Sequence, residues 1–291
     1  VRIGMGLRRL ILLSLAAAGV NAAAAPALTP AVRLLEERAG IHEACGAAVG
    51  RDGGILLAEI TAPLDGTGQK VVILTLTNES SKDLTRISLP AALSGRYRAL
   101  HGPAALRSGR FVVLVQLTDG YGALLLVDRS GTAQASKTFP LGDMMVTKMI
   151  ATPSEELVLV GHRQLDATAI KVDLSGRQLW EKTLDLGAMD MFVDAVPRED
   201  GGVLLVANSG TYQHLFIGPS RVGIVGVDRS GVATTPRWQF GRFGSVVGDE
   251  SGYFLLYDER SGDGQKLVLL CIVLWLVGAV SILKISTFKD V

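Results

Sequence analysis

Two stretches of this chain are near copies of one another. Asp128–Met144 (DRSGTAQASKTFPLGDM) aligns without a gap on Asp173–Met189 (DLSGRQLWEKTLDLGAM) at an offset of 45 residues, with Asp, Ser, Gly, Lys, Thr, Leu, Gly and Met coinciding. The turn motif DRSG returns at Asp228–Gly231. A repeat of this length confines the fold to modules that stack in a line or around an axis, each too small to bury its apolar face alone.

A second marker recurs upstream of the copies: a polar turn followed by an apolar run. The runs begin at Ile55, Phe111, Leu157, Val203 and Tyr253, so their spacings are 56, 46, 46 and 50 residues. Within the third unit the short runs Val146–Ala151, Leu157–His162, Thr168–Asp173 and Gln178–Leu184 are rich in Val, Ile and Leu and bounded by Gly, Ser, Asp and Pro, which predicts four strands. Four antiparallel strands per repeat of this size is the blade of a β-propeller. The expected fold is therefore all-β, a propeller of about four to five four-stranded blades with the last incomplete. An N-terminal signal helix and a C-terminal transmembrane helix are expected to flank it.

The D-x-S-G motif is placed at a tight turn between the third and fourth strands. Asp hydrogen-bonds backbone two residues on and Gly accepts positive φ, so Asp128, Gly131, Asp173, Gly176, Asp228 and Gly231 are expected as structural turn residues. One Asp per turn, with no second carboxylate, makes a poor cation site. Trp180 and Trp238 fall on fourth strands, where packing between blades is preferred to a binding role.

AIKVDLSGRQLWEKTL (Ala169–Leu184) followed by VDAVPREDGGVLLVANSG (Val193–Gly210) resembles the repeat of secreted bacterial β-propeller proteins of the PQQ-like type. Asp173, Gly176, Trp180, Asp200, Gly201 and Gly202 carry the likeness, which extends over roughly Arg51 to Gln265. It implies the fold and little about activity, because propellers host many functions. Quinoprotein dehydrogenases share the superfold and would need adjacent cysteines. The chain has only Cys45 and Cys271, so quinone binding does not carry over.

No catalytic, cofactor-binding or metal-ligating set is expected. His42, His101, His162 and His214 are scattered without metal-ligand spacing. There is no G-x-S-x-G and no phosphate-binding glycine loop. Asp190, Asp194, Glu199 and Asp200 cluster in sequence and read as a solvated strand end rather than an acid/base pair. A net charge of +1, with no basic stripe, excludes nucleic acid as a partner.

Residues 1–24 read as a signal peptide, with Arg8 and Arg9 before the apolar Leu10–Val20 and small residues at Ala22–Ala25. Residues 25–50 read as a helical linker, with a helix over Thr29–Ala39, and a first strand. Residues 51–265 hold the repeats, 266–284 a transmembrane helix and 285–291 a cytoplasmic tail. The anchor rests on Leu267–Leu283, 17 residues without a charge between Lys266 and Lys284. A competing feature is that SGDGQKLVLLCI (Ser261–Ile272) is like DGTGQKVVILTL (Asp65–Leu76), which lies in a strand region. The expected protein is a periplasmic or extracellular domain anchored in the bacterial inner membrane. Its expected role is a non-enzymatic binding or scaffolding module for protein, peptide or glycan. The alternatives are a propeller hydrolase or lyase with acidic residues at the central funnel, or a truncated or frame-shifted propeller with no intact function. Mass spectrometry of the exported protein is expected to find its mature N-terminus between Ala23 and Ala25; an intact N-terminal segment on exported protein rejects the signal peptide.

Overall fold

The computed structural model describes residues 41–51, 53–62, 71–77, 84–93, 95–185, 189–210, 221–240, 242–249, 252–261, 264–274 and 280–289. The expected signal peptide and the helix over Thr29–Ala39 lie outside them. Five sheets follow one another along the chain, each built from strands consecutive in sequence and paired antiparallel. Blade 1 is β1 (Ile41–Val49), β2 (Ile55–Ala62), β3 (Val71–Thr77) and β4 (Leu84–Ile87). Blade 2 is β5 (Tyr97–Ala105), β6 (Phe111–Leu117), β7 (Tyr121–Val127), β8 (Ala133–Ala135) and β9 (Phe139–Pro140). The last two both pair with β7, so they are one fourth strand interrupted at 136–138. Blade 3 is β10 (Met145–Ala151), β11 (Leu157–Arg163), β12 (Asp166–Val172) and β13 (Gln178–Leu184), within two residues of the strands its apolar runs predict. Blade 4 is β14 (Met189–Pro197), β15 (Val203–Gly210), β16 (Arg221–Val227) and β17 (Arg237–Phe240). The fifth sheet is β18 (Arg242–Asp249), β19 (Gly252–Ser261), β20 (Gly264–Leu274) and β21 (Val280–Lys289). The first strands pack in series, β1 on β5, β5 on β10, β10 on β14 and β14 on β18. The chain is a β-propeller.

The core lies between blades. One apolar layer joins blades 1 and 2 through residues such as Leu56, Leu74, Phe111 and Val113. A second joins blades 2 and 3 through Leu114, Leu124, Met144 and Leu159. A third joins blades 3 and 4 through Val158, Ala169, Phe192 and Leu205. A central strand is thus covered on both faces, which is why β6 (FVVLVQL) is buried at every position. The outer β13 (QLWEKTL) has only one covered face and alternates instead.

The expected C-terminal membrane helix is corrected by the same logic. Gly264–Leu274 and Val280–Lys289 are strands, paired in register from Lys266↔Lys289 to Leu274↔Val280. No helix among the described residues is long and apolar enough to cross a membrane. β20 is the third strand of its sheet, as β3 is of blade 1, so the likeness between the two segments reports an equivalent place in the fold.

The same compact turn recurs throughout. Asp128 N–H donates to Thr132 O (3.0 Å) and Gly131 N–H to Asp128 O (3.1 Å). The pattern returns at Asp173–Arg177 and Asp228–Val232 between third and fourth strands, and at Gly50–Gly54, Leu106–Arg110, Thr152–Glu156 and Arg198–Gly202 between first and second. Each places its fourth residue at positive φ, from 60° to 93°. This is the hairpin turn in which a left-handed residue, normally glycine, closes a type I turn. In the third–fourth turns the Asp carboxylate does the locking. Asp173 Oδ1 accepts from Ser175 N (2.9 Å), Ser175 Oγ (2.6 Å) and Arg177 N (3.0 Å). Asp128 and Asp228 accept from the equivalent atoms.

The turn glycine has a second duty. A Cβ on Gly131 would meet Thr85 Cγ2 at 2.7 Å, one on Gly176 would meet Phe139 Cδ1 at 2.8 Å, and one on Gly231 would meet Trp180 Cγ at 3.0 Å. Each turn therefore seats on the fourth strand of the preceding blade, and Trp180 packs between blades 3 and 4. Trp238 lies on β17, outside the residues whose side chains are described. Gly142 separates the two duties, since its φ is 62° with nothing within 4 Å of a Cβ. Gly142→Ala is expected to cost about 1 kcal/mol from conformation alone, whereas Gly176→Ala is expected to cost about 2–4 kcal/mol from conformation plus overpacking. Chemical denaturation of both variants checks this, and equal costs would contradict the seating of the turn on the neighbouring blade.

Candidate functional site

Alternating strand direction sorts the connections onto two faces. The face of first–second and third–fourth connections carries the seven compact turns described above. The other face carries the second–third loops and the links between blades, which differ from blade to blade: 118–120 in blade 2 and 164–165 in blade 3 are short, whereas 211–220 in blade 4 is outside the description. Loops free to vary over a fixed scaffold are where binding and catalysis concentrate.

On this face, hydrogen bonds tie the loop of blade 2 to that blade's own entry, and the loops of blades 2 and 3 to the entries of blades 3 and 4. Thr118 N–H donates to Arg96 O (2.8 Å), Leu141 and Gly142 N–H donate to Gly120 O (2.9 and 2.8 Å), and Asp190 N–H donates to Leu165 O (2.7 Å). Arg163 binds Glu181, lies 3.5 Å from Asp143 and reaches Leu141 O (3.4 Å). Arg96 pairs with Asp119.

The first strands lead from this face into the centre. All five carry an irregularity in register, at Ala44/Gly46, His101/Ala104, Val146/Lys148, Phe192/Asp194 and Arg242/Ser245. A bulge increases local twist, which suits strands converging on an axis. The convergence is tight, since a Cβ on Gly46 would lie 2.2 Å from Gly102 O. At the bulge of blade 3 the Thr147 hydroxyl is shared between Val160 O (3.0 Å) and Phe192 O (2.6 Å), tying β10 to β14. Next to it, Lys148 pairs with Asp194, whose Oδ1 also accepts from Ala195 N–H (2.7 Å).

The expectation of a solvated strand end is therefore corrected for Asp190 and Asp194, which are buried at the centre because β14 is an inner strand. Glu199 and Asp200 occupy the turn on the opposite face, where Asp200 Oδ1 accepts from Gly202 N–H (2.9 Å). Asp128, Gly131, Asp173, Gly176, Asp228 and Gly231 all stand in that opposite face's turns. Hydrogen bonds from Ser130 and Ser230 hold the Asp128 and Asp228 carboxyls below the ordinary value. For Asp173, burial pushes upward, and the bonds from Ser175 and Arg177 more than offset it.

Two groups were not legible as special in the sequence. Lys171 on β12 is fully buried, binds Glu156 of its own blade (2.5 Å) and points its ammonium at Gly201 O of blade 4 (3.4 Å). Burial pushes the Glu156 carboxyl up, but Lys171, Ser154 and the charge of Arg229 bring it below its usual value. His101, on β5, lies 3.2 Å from Gln116 Oε1 through Nε2. Gln116 Nε2 donates to Met144 O (2.7 Å), which turns Oε1 toward the ring. His101 Nε2 is then the protonated nitrogen and Nδ1 carries the lone pair. Burial lowers the His101 pKa more than the bond to Gln116 raises it. Among the described residues, no group of three or more His, Cys, Asp or Glu is placed to hold a metal ion.

The sequence matches no known protein family, and no curated protein matches it. Its structure is similar to the crystal structure of a protein from Lactobacillus plantarum, with a TM-score of 0.52 at 12% identity and 84% of each chain covered. It is also similar to a prolyl endopeptidase, with a TM-score of 0.50 at 13% identity, covering 86% of this chain and 35% of that one. The chain thus spans about a third of the endopeptidase's length. Identities this low speak to the fold alone.

A histidine whose folded pKa is lowered favours the folded state above its unfolded pKa, and that contribution is lost as pH falls through the folded value. The His101 imidazole is expected to titrate below about 6.5 and to show the Nε2–H tautomer by nitrogen NMR. Gln116→Met is expected to lower the midpoint further, because it removes the bond that favours the charged ring. A midpoint at or above the ordinary value would contradict the described environment.

Proposed function

We propose that this chain is an exported, non-enzymatic binding or scaffolding module, with the loop face of its propeller as the contact surface for a protein, peptide or glycan. The observation that carries this reading is the state of the central carboxylates. Asp194 is buried and neutralised by Lys148, with its Oδ1 also engaged by backbone. Asp190 is wholly buried. A general acid or base must reach the substrate within hydrogen-bond distance, and a nucleophile needs an open approach. Neither carboxylate has one. The exposed material of the same face is of the kind interfaces use, namely Tyr, Met and Arg beside a loop leucine. The basic and then apolar N-terminal segment supports export.

The test is affinity capture from a bacterial envelope extract with the immobilised folded chain. Leu165→Asp, on the loop face, is expected to abolish capture of any specific partner, and Val232→Asp, exposed on the turn face, to leave it intact. In parallel, the protein is expected to show no hydrolase activity on glycoside, lactone or peptide substrates. An activity lost with Asp194→Asn would overturn the non-enzymatic reading.

A further inference from the structure

We propose that the loop face of blades 2 and 3 takes an acidic peptide segment, setting a carboxylate on Arg98 and aliphatic side chains against Tyr121, Met145 and Leu165. The inference rests on the binding reading above and names the chemistry of the partner. The patch is joined across its loops by the hydrogen bonds from Thr118 to Arg96 and from Leu141 and Gly142 to Gly120, and by Arg163, next to the Leu165 loop, which reaches Leu141 O and Asp143. The described residues expose six large hydrophobic side chains, and three are here: Tyr121 (44% exposed), Met145 (41%) and Leu165 (56%). They alternate with charges that are nearly all matched. Arg96 has Asp119, Arg163 has Asp143 and Glu181, and Lys148 has Asp194.

Arg98 is the exception. It is exposed at the loop-face end of β5, and its guanidinium donates from Nη2 to Met145 Sδ (3.1 Å). Among the described residues it meets no carboxylate. A thioether is a weak acceptor, and a guanidinium has five N–H donors in a fork that matches a carboxylate. The contact with Met145 leaves most of that fork open and holds the arginine beside the apolar residues. Met145 itself is flexible enough to fit more than one side chain.

The pattern selects among ligands. A single unmatched cation among exposed Asp119 and Asp143 gives nothing for a polyanion such as nucleic acid to follow. A sugar is gripped by stacked aromatic faces, and only Tyr121 of the three exposed hydrophobics offers one. Methionine and leucine suit the aliphatic side chains of a peptide.

The probe is a terminally blocked five-residue peptide alternating leucine and glutamate, with a glutamine counterpart, titrated into the folded chain by calorimetry. The glutamate peptide is expected to bind about tenfold or more tighter than the glutamine peptide, as losing one charge-assisted bond implies. Arg98→Met is expected to erase the difference, and Arg98→Glu to reverse it toward a lysine-containing peptide. Leu165→Ser is expected to weaken both peptides alike. Melting curves check that each variant is folded. Equal binding of the two peptides by the wild type, or unchanged discrimination in Arg98→Met, overturns the inference. If neither peptide binds while the envelope capture still depends on Leu165, the acidic-peptide inference fails and the binding module stands. If both experiments fail, both readings fall.

Discussion

The seating of one blade's turn on the next blade's outer strand is the contact on which the rest of the propeller depends. A blade has two apolar faces and no core of its own, so its stability comes from neighbours. Two sheets of different twist can be held face to face only if their ends stay in step. The glycines of the Asp-headed turns supply that registration, because they meet Thr85, Phe139 and Trp180 of the preceding blade too closely for a side chain. The aspartate makes the turn rigid enough to serve as a stop. Its oxygen gathers two backbone N–H groups and a hydroxyl, so the turn needs no help from elsewhere.

This is why the fold was readable from the sequence. A rule that repeats in blades 2, 3 and 4 leaves a repeated signature, and the copies at Asp128–Met144 and Asp173–Met189 are that signature. The strands of blade 3 follow from it almost to the residue. The misreading at Leu267–Leu283 has the same origin. A strand covered on both faces is apolar at every position, as β6 is, and composition cannot separate such a strand from a membrane helix. The apolar run also ends one strand and begins the next, so its length belongs to neither.

What stayed hidden was whatever leaves no local pattern in the sequence. The inner-strand bulges depend on convergence at the axis, which no local pattern encodes. Lys171 sits in a strand whose neighbours in sequence are apolar, and only the fold brings Glu156 beneath it and Gly201 O beside it. Asp190 and Asp194 looked like surface charges because they stand near other acids in sequence. Strand order decides otherwise, since β14 is the first strand of its blade and runs along the axis, where these two carboxylates are buried. The Lys148–Asp194 pair joins β10 to β14 at equivalent places, one cation and one anion where blades 1 and 2 have Gly46 and Gly102. Small residues let the backbones touch on one side of the centre, and an ion pair spans the other.

Glu155 shows how the two faces came to differ. It occupies the left-handed position of its turn, at φ 60°, where the turns of blades 1, 2 and 4 have Gly53, Gly109 and Gly201. A non-glycine residue there costs about 1 kcal/mol. The return is a contact no glycine can make, because its carboxylate accepts from Ser108 N–H and approaches Arg110, both in the turn of blade 2. Glu156, the next residue, engages Lys171, which in turn reaches blade 4. Two adjacent glutamates therefore bind three blades together on the turn face. That face is locked by glycine seats and by these carboxylates, and the loop face is joined mainly through backbone hydrogen bonds such as Leu141 and Gly142 to Gly120 and Asp190 to Leu165. Because those bonds use main-chain atoms, the side chains of Tyr121, Met145 and Leu165 stay exposed beside Arg98 without being engaged in holding the blades in line.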